Sequence, residues 1–323
     1  MNLARRGCLS LAAGAAALHL LPRAARGQTY PTQPVYLTVG FPAGGPSDIL
    51  ARLVGKWLSE RLGQQFIVEN RPGGGGNVAA EAVVRSPPDG YRLLMISTPN
   101  AINATLYGNL SFDFTRDIAP VAGIMRVPSV MAVSPSLPVK TVPEFIAYAK
   151  ARPEKIKMAS VGIANRLSGE LFKMMTGINM SYLGSPSLVD MLAGLFRGQT
   201  HVAFDGLLSS IEYVRTKKLR VLAVTTANRA EALPEIPPIG DFVQGYEASA
   251  WFGVGAPRGT APEITELLNR EINLGLAHPV LKARLTDLGG SPLPGTALDF
   301  GTLLADETEK WRRVVTFSGA KLN

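Results

Sequence analysis

The chain has 323 residues, 46% of them hydrophobic and 18% charged, which makes a globular protein of about two packed units. Its formal net charge is +8, from 33 Lys and Arg against 25 Asp and Glu, but Arg5, Arg6, Arg23 and Arg26 all fall in the first 27 residues. Without those four the balance is 29 against 25, or +4, and the densest remaining basic runs, TKKLR and EKWRR, stand at helical spacing beside acidic residues. Solvated helix faces account for them, and nucleic acid is not an expected partner.

Residues 1–27 read as a signal peptide: Arg5 and Arg6 precede the apolar stretch LSLAAGAAALHLL, and Ala25 and Gly27 are small residues at cleavage-compatible spacing. Cleavage near Gly27 places the mature chain in the periplasm, with the Sec and twin-arginine routes both open. No later segment offers the ~20 uninterrupted apolar residues of a spanning helix. Cys8, the only cysteine, lies inside this leader, so the mature chain has neither disulfides nor cysteine metal sites.

From Val35 the pattern alternates. VYLTVGF is a buried strand, followed by a helix on which Leu50, Leu53, Val54, Trp57, Leu58 and Leu62 share a face up to Gly63. QFIVEN, VAAEAVVR and RLLMIS continue as strand, short helix and strand, a βαβαβ order that implies a parallel sheet. A second α/β unit runs from FIAYAKA to LRVLAVTT. Two apolar extended stretches, VAGIMRVPSVMAVSP and EASAWFGVGAP, read as strands crossing between the units. Three helical patterns, beginning at PEITELL, PVLKARL and LDFGTLL, follow the second crossing and return to the first unit. The expected fold is α/β with two lobes, each a mostly parallel sheet flanked by helices. Residues 28–125 and 249–323 form lobe 1, and residues 126–248 form lobe 2.

In open parallel sheets the ligand crevice lies beyond the carboxyl ends of the strands. FPAGGPSD, Phe41 to Asp48, occupies such a position: Gly44 and Gly45 permit close backbone approach, and Ser47 or Asp48 would cap the next helix. It lacks the lysine of a phosphate loop and the spacing of a dinucleotide fingerprint, and so does RPGGGGN. Either loop reads equally as a tight turn or a binding loop. STPN, with Ser97, Thr98 and Asn100, follows another strand and suits capping or binding. In SVGIANRLSGE, Asn165 and Arg166 lie at a helix start, where an arginine fork could join the helix N–H groups in holding a carboxylate. Asp205 ends the strand HVAFD and could accept from a ligand or cap the next helix. A catalytic constellation is missing. After cleavage only His201 and His278 remain, with no histidine metal pair, no G-x-S-x-G elbow, and Asp306 and Glu309 beside Lys310 on a helix surface. No metal, cofactor or catalytic residue is expected.

The stretches YPTQPV, FPAGGPSDILARL, VENRPGGGGNVAAEAV, PPDGYRLLM, SPSLPVKTVPEFIAYAK, SGELFK, LRVLAVTT, RAEALPEIPPI and WFGVGAP resemble the Bug family, periplasmic substrate-binding proteins of tripartite tricarboxylate transporters. The resemblance covers the mature chain. It implies a Venus-flytrap receptor that captures a small organic anion, dicarboxylate-like or an aromatic acid, in an interlobe cleft without chemistry on it. The first-lobe glycine loop and a second-lobe loop would approach the ligand, which assigns Phe41, Ala43, Gly44, Gly45, Ser47, Asp48, Ser97, Thr98, Asn100, Gly162, Asn165, Arg166, Tyr182, Gly184 and Asp205 to the site. The chain departs from the family pattern in lobe 2: Asn165 and Arg166 stand where serine and histidine are common, and SYLGSPSL keeps only Tyr182, Gly184 and Pro186 of the usual loop. The implied partners are membrane transporter subunits, with the receptor a monomer. A sensor kinase using the same cleft is the alternative, and a secreted hydrolase or isomerase a further one.

Overall fold

A computed structural model describes residues 30–320, so the expected leader lies outside the described residues. In chain order the first elements are β1 (Val35–Val39), α1 (Pro46–Leu62), β2 (Phe66–Asn70), α2 (Asn77–Val84), β3 (Arg92–Ser97), α3 (Thr98–Leu106), α4 (Phe114–Asp117) and β4 (Ile118–Val127). The second group is β5 (Ser129–Val133), α5 (Val142–Lys150), β6 (Lys157–Ser160), α6 (Ile163–Thr176), β7 (Ser181–Gly184), α7 (Leu188–Phe196), β8 (Val202–Gly206), α8 (Leu207–Arg215) and β9 (Arg220–Val224). The chain ends with β10 (Ala250–Pro257), α9 (Pro262–Ala277), α10 (Pro279–Asp287), β11 (Ser291–Pro292) and α11 (Ala297–Ser318).

Local sequence explains the ends of α1. Pro46 suits the first helical position, Gly63 closes the helix in the left-handed conformation, and Leu50, Val54 and Leu58, four residues apart, bury one stripe. The strands form two mixed sheets, in the orders β11-β4-β10-β3-β1-β2 and β7-β6-β8-β5-β9. Each has a parallel core, β2-β1-β3 in one and β7-β6-β8 in the other, extended by antiparallel strands.

The first expected crossing is a single extended run. β4 pairs in the first sheet, Pro128 breaks the ladder, and β5 pairs in the second. The second differs from expectation: β10 belongs wholly to the first sheet, and the change of lobe falls just before it, where Ala248 N–H bonds Thr225 O. It pairs with β4 from Ala250 to Pro257 and with β3 from Phe252 to Gly255, so its middle is bonded on both sides. α9 packs on α1 and β4, and α10 on β11, all elements of the first sheet's layer. α11 also packs on α6 of the second lobe, so one apolar cluster, including Trp251, Trp311 and Phe172, is continuous between the lobes.

Charge reinforces this junction. Glu307 of α11 is 3% exposed; its Oε2 accepts both indole N–H groups, Trp251 at 2.9 Å and Trp311 at 2.8 Å, and its Oε1 takes Lys310 Nζ at 2.5 Å. Lys310 Nζ also reaches Glu247 Oε2 at 3.0 Å, and Arg126 Nη1 donates to Glu247 Oε1 at 2.6 Å. Both interlobe segments are thereby tied to α11. No helix among the described residues is long and apolar enough to cross a membrane.

Candidate functional site

The carboxyl ends of β1, β3, β6 and β8 open on one cavity of about 760 Å3 between the lobes. Four helices begin at its wall: α1 through Gly45 and Ser47, α3 through Ser97 and Thr98, α6 through Ala164 and Asn165, and α8 through Gly206 and Ser209. Among the described residues, no Asp, Glu, Lys, Arg or His lines it. Three of these helices have glycine at the N-cap, Gly45, Gly162 and Gly206, which leaves their first-turn amides without a side-chain acceptor. By contrast, Thr141, Ser187 and Thr296 cap α5, α7 and α11 through their hydroxyls. α9 and α10 also start uncapped, but away from the cavity, so the distinguishing feature is convergence. Each helix amino end carries about half a positive charge, and four around one uncharged space favour an anion.

The first-lobe loop is held by Asp48. Its Oδ2 accepts Gly44 N–H at 2.9 Å, and the Arg52 fork meets both carboxylate oxygens at 2.9 Å. Arg52 also reaches Asn70 Oδ1 at 3.3 Å, while Asn70 Nδ2 donates to Phe41 O at 3.0 Å. The Arg52 hydrogen bonds chiefly, outweighing the opposing burial, hold the Asp48 carboxyl down at about 2. The sequence reading placed Asp48 among the ligand contacts. Here it faces away from the cavity wall and fixes the loop that forms it. Behind the loop, a Cβ on Gly40 would stand 2.6 Å from Gly76 Cα, so this close backbone approach is what RPGGGGN supplies.

Of the residues expected at the site, Phe41, Ala43, Gly44, Gly45, Ser47, Ser97, Thr98 and Asn165 line the cavity. Asn100 does not, because its Oδ1 accepts Ser97 N–H at 2.9 Å and completes the cap of α3. Thr98 Oγ1 accepts Trp251 N–H at 2.9 Å, joining α3 to β10. Asn165 Oδ1 accepts Ser129 Oγ at 3.0 Å, so α6 is tied to the start of β5 while Asn165 faces the cavity.

Gly162, Arg166, Tyr182, Gly184 and Asp205 do not line it. Gly162 is the exposed N-cap of α6, and Gly184 ends the edge strand β7. The Arg166 guanidinium lies over the Tyr182 ring, 4.3 Å from its centroid. Asp205 sits directly behind Gly206 and is 3% exposed, its Oδ2 accepting Ser209 Oγ at 2.9 Å; burial pushes its carboxyl up to about 6 against the opposing Ser209 and Ser210 bonds.

Sequence reasoning missed Gly206, Leu208 and Ser209, although they follow a strand end as FPAGGPSD does. It also missed the apolar floor, Val127, Ala250 and Phe252. Those three lie within strands, where no local signal separates a cavity wall from core.

The sequence profile of the tripartite tricarboxylate transporter family receptor matches residues 50–319. Protein BugT of Bordetella pertussis is 35% identical over 305 residues, covering 91% of this chain and 92% of its own length. A solved structure of an R. palustris protein with adipate is 37% identical, with a TM-score of 0.76 over 91% of this chain and all of that one. MatC from Rhodopseudomonas palustris with bound malate is 26% identical, with a TM-score of 0.71 over 88% of this chain and all of that one. The two solved structures match the fold described above over most of the chain, and the chain belongs to the tripartite tricarboxylate transporter receptor family.

Proposed function

We propose that this protein captures a small carboxylate between its lobes in the periplasm and presents it to the membrane subunits of a tripartite transporter. The carrying observation is the convergence of four helix amino ends, two from each lobe, on one cavity without charged walls. A carboxylate placed there completes hydrogen bonds that the glycine N-caps leave open, and its carbon skeleton meets Phe41, Leu208 and Phe252. A cation meets four positive dipole ends and gains nothing. Because α1 and α3 belong to one lobe and α6 and α8 to the other, an anion held by all four favours the closed arrangement, which is the state a membrane partner would recognise. The taking of lobe 1 as residues 28–125 with 249–323, and lobe 2 as 126–248, belongs to the same reading. Adipate and malate in the two relatives support the acid class.

The test is calorimetric titration of the exported protein, refolded once to strip carried-over solute, with adipate, malate, citrate and benzoate, and with glucose and lysine as controls. Saturable binding of at least one acid, accompanied by a more compact scattering profile, is expected. Binding of glucose or lysine with no response to any acid would sink the proposal.

A further inference from the structure

The crossing between the lobes has two faces. Side chains alternate along an extended chain, and here the alternation separates two cavities: Val127 lines the one described above, while Arg126 and Pro128 on either side of it line another, of about 350 Å3. The later interlobe segment repeats the pattern, since Ala250 lines the first cavity and its neighbour Ser249 accepts Arg126 Nη1 at 2.9 Å. Both lobes contribute to this rear cavity. Arg126 and Ser291 come from β4 and β11 of the first sheet, and Thr226 to Ala230 from the loop that leaves β9 of the second.

The rear cavity is positive where the front one is uncharged. Arg126 and Arg229 line it, and among the described residues no Asp or Glu does. Glu247 bonds Arg126 at 2.6 Å but is shared with Lys310. Among the described residues every side-chain bond of Arg126 runs through Nη1, which leaves its Nε and Nη2 donors open. Arg229 is anchored to its loop by Nη1 donating to Pro234 O at 3.1 Å, and no described carboxylate pairs with it. Asn228 and Ser291 add an amide and a hydroxyl to the same wall.

We propose that the rear cavity is a site for a small oxyanion of the phosphate or sulfate type, which bridges Arg126 of the first lobe and Arg229 of the second. A tetrahedral oxyanion offers oxygens to both forks at once. Because the interlobe segments lie between the two cavities, motion about them that brings the front faces together parts the rear ones. A bridging rear anion therefore opposes closure and weakens acid capture, and a captured acid weakens the rear anion by the same factor. This clamp rests on the anion-capture reading above; the rear site does not.

Inorganic phosphate is titrated calorimetrically into the refolded protein, at an ionic strength held constant with sodium chloride, and into the Arg229→Gln, Arg229→Lys, Ala227→Asp and Ala164→Asp variants, each first shown to melt cooperatively. Ala227 is exposed and lines the rear cavity, so its replacement adds a carboxylate there and removes no side-chain bond. One saturable site is expected. Arg229→Gln and Ala227→Asp should weaken it ~10- to 100-fold, and Arg229→Lys less, since lysine keeps the charge and loses the fork. Ala164→Asp, whose carboxylate stands in the front cavity, should leave phosphate within ~3-fold. Saturating phosphate should weaken the tightest-binding of adipate, malate, citrate and benzoate ~3- to 10-fold, and more in the unsubstituted protein than in Ala227→Asp. No saturable phosphate binding, or binding lost in Ala164→Asp and kept in Ala227→Asp, overturns the site. Acid affinity unmoved or raised by phosphate overturns the clamp. Failure of all four acids to bind the folded protein overturns the capture reading and the clamp with it, while the phosphate titration still decides the site.

Discussion

Replacing Asp205 by asparagine should stabilise the protein at neutral pH. The carboxyl is 3% exposed behind the cavity wall, and burial raises it from an ordinary 3.8 to about 6, the Ser209 and Ser210 bonds opposing. Ser209 Oγ stands 2.9 Å from Asp205 Oδ2 and 2.8 Å from Gly206 O, but its single proton serves one acceptor at a time. A protonated Asp205 resolves the conflict by donating to Ser209, which then donates to Gly206. Because the folded value is raised, the favourable contribution is fully present below about pH 3.8 and is lost as pH rises through about 6. A shift of about two units corresponds to ~3 kcal/mol. Asparagine is neutral at every pH and can make the same bonds. Asp205→Asn should therefore match the parent near pH 4 and exceed it by ~1–3 kcal/mol at pH 7.5, measured as the difference in urea midpoints multiplied by the common slope. A variant less stable than the parent at pH 7.5, or a difference that does not change with pH, would refute the reasoning.

Other substitutions probe the frame of the site. Asp48→Asn should lower stability by ~1–2 kcal/mol at neutral pH, a figure reduced because Arg52 is more than half exposed. Since the Asp48 carboxyl is held down at about 2, that loss should be present above pH 4 and fade as pH falls toward 2, which acid titration of the two urea midpoints will show. Gly40→Ala places a methyl 2.6 Å from the Gly76 backbone, where no flexible side chain can yield, and should cost ~1–3 kcal/mol while weakening acid binding through the displaced Phe41 loop. Glu307→Leu strands two indole N–H groups, leaves Lys310 with Glu247 as its one carboxylate partner, and should destabilise by ~3–5 kcal/mol in urea, against ~1–3 kcal/mol for Glu307→Gln, which retains an acceptor. Ala164→Asp puts a carboxylate at the start of α6 inside the cavity and should abolish acid binding with an unchanged melting temperature.

The strand and helix order was readable from the sequence because it is set by local periodicity: the Leu50, Val54 and Leu58 stripe of α1 and the apolar run of β1 need no distant partner to be recognised. Strand ends followed by glycine or short polar residues pointed to loops that line the cavity for the same reason, since the carboxyl ends of a parallel sheet are marked by local sequence. The sequence could not tell which of those polar residues are already occupied. Asp48, Asn100 and Asp205 are all suited to touching a ligand, and only the three-dimensional arrangement shows the first spent on Gly44 and Arg52, the second on Ser97, and the third closed off behind Gly206. Nor could it place the cavity floor, because Phe252 becomes a wall only when β10 pairs between β3 and β4 and α8 arrives from the other lobe. The amino-acid order determined the elements and the family, through patterns that span a few residues. The convergence of four helix amino ends, and the stacking of Arg166 on Tyr182, depend on contacts between segments apart in the chain, and only the tertiary structure decided them.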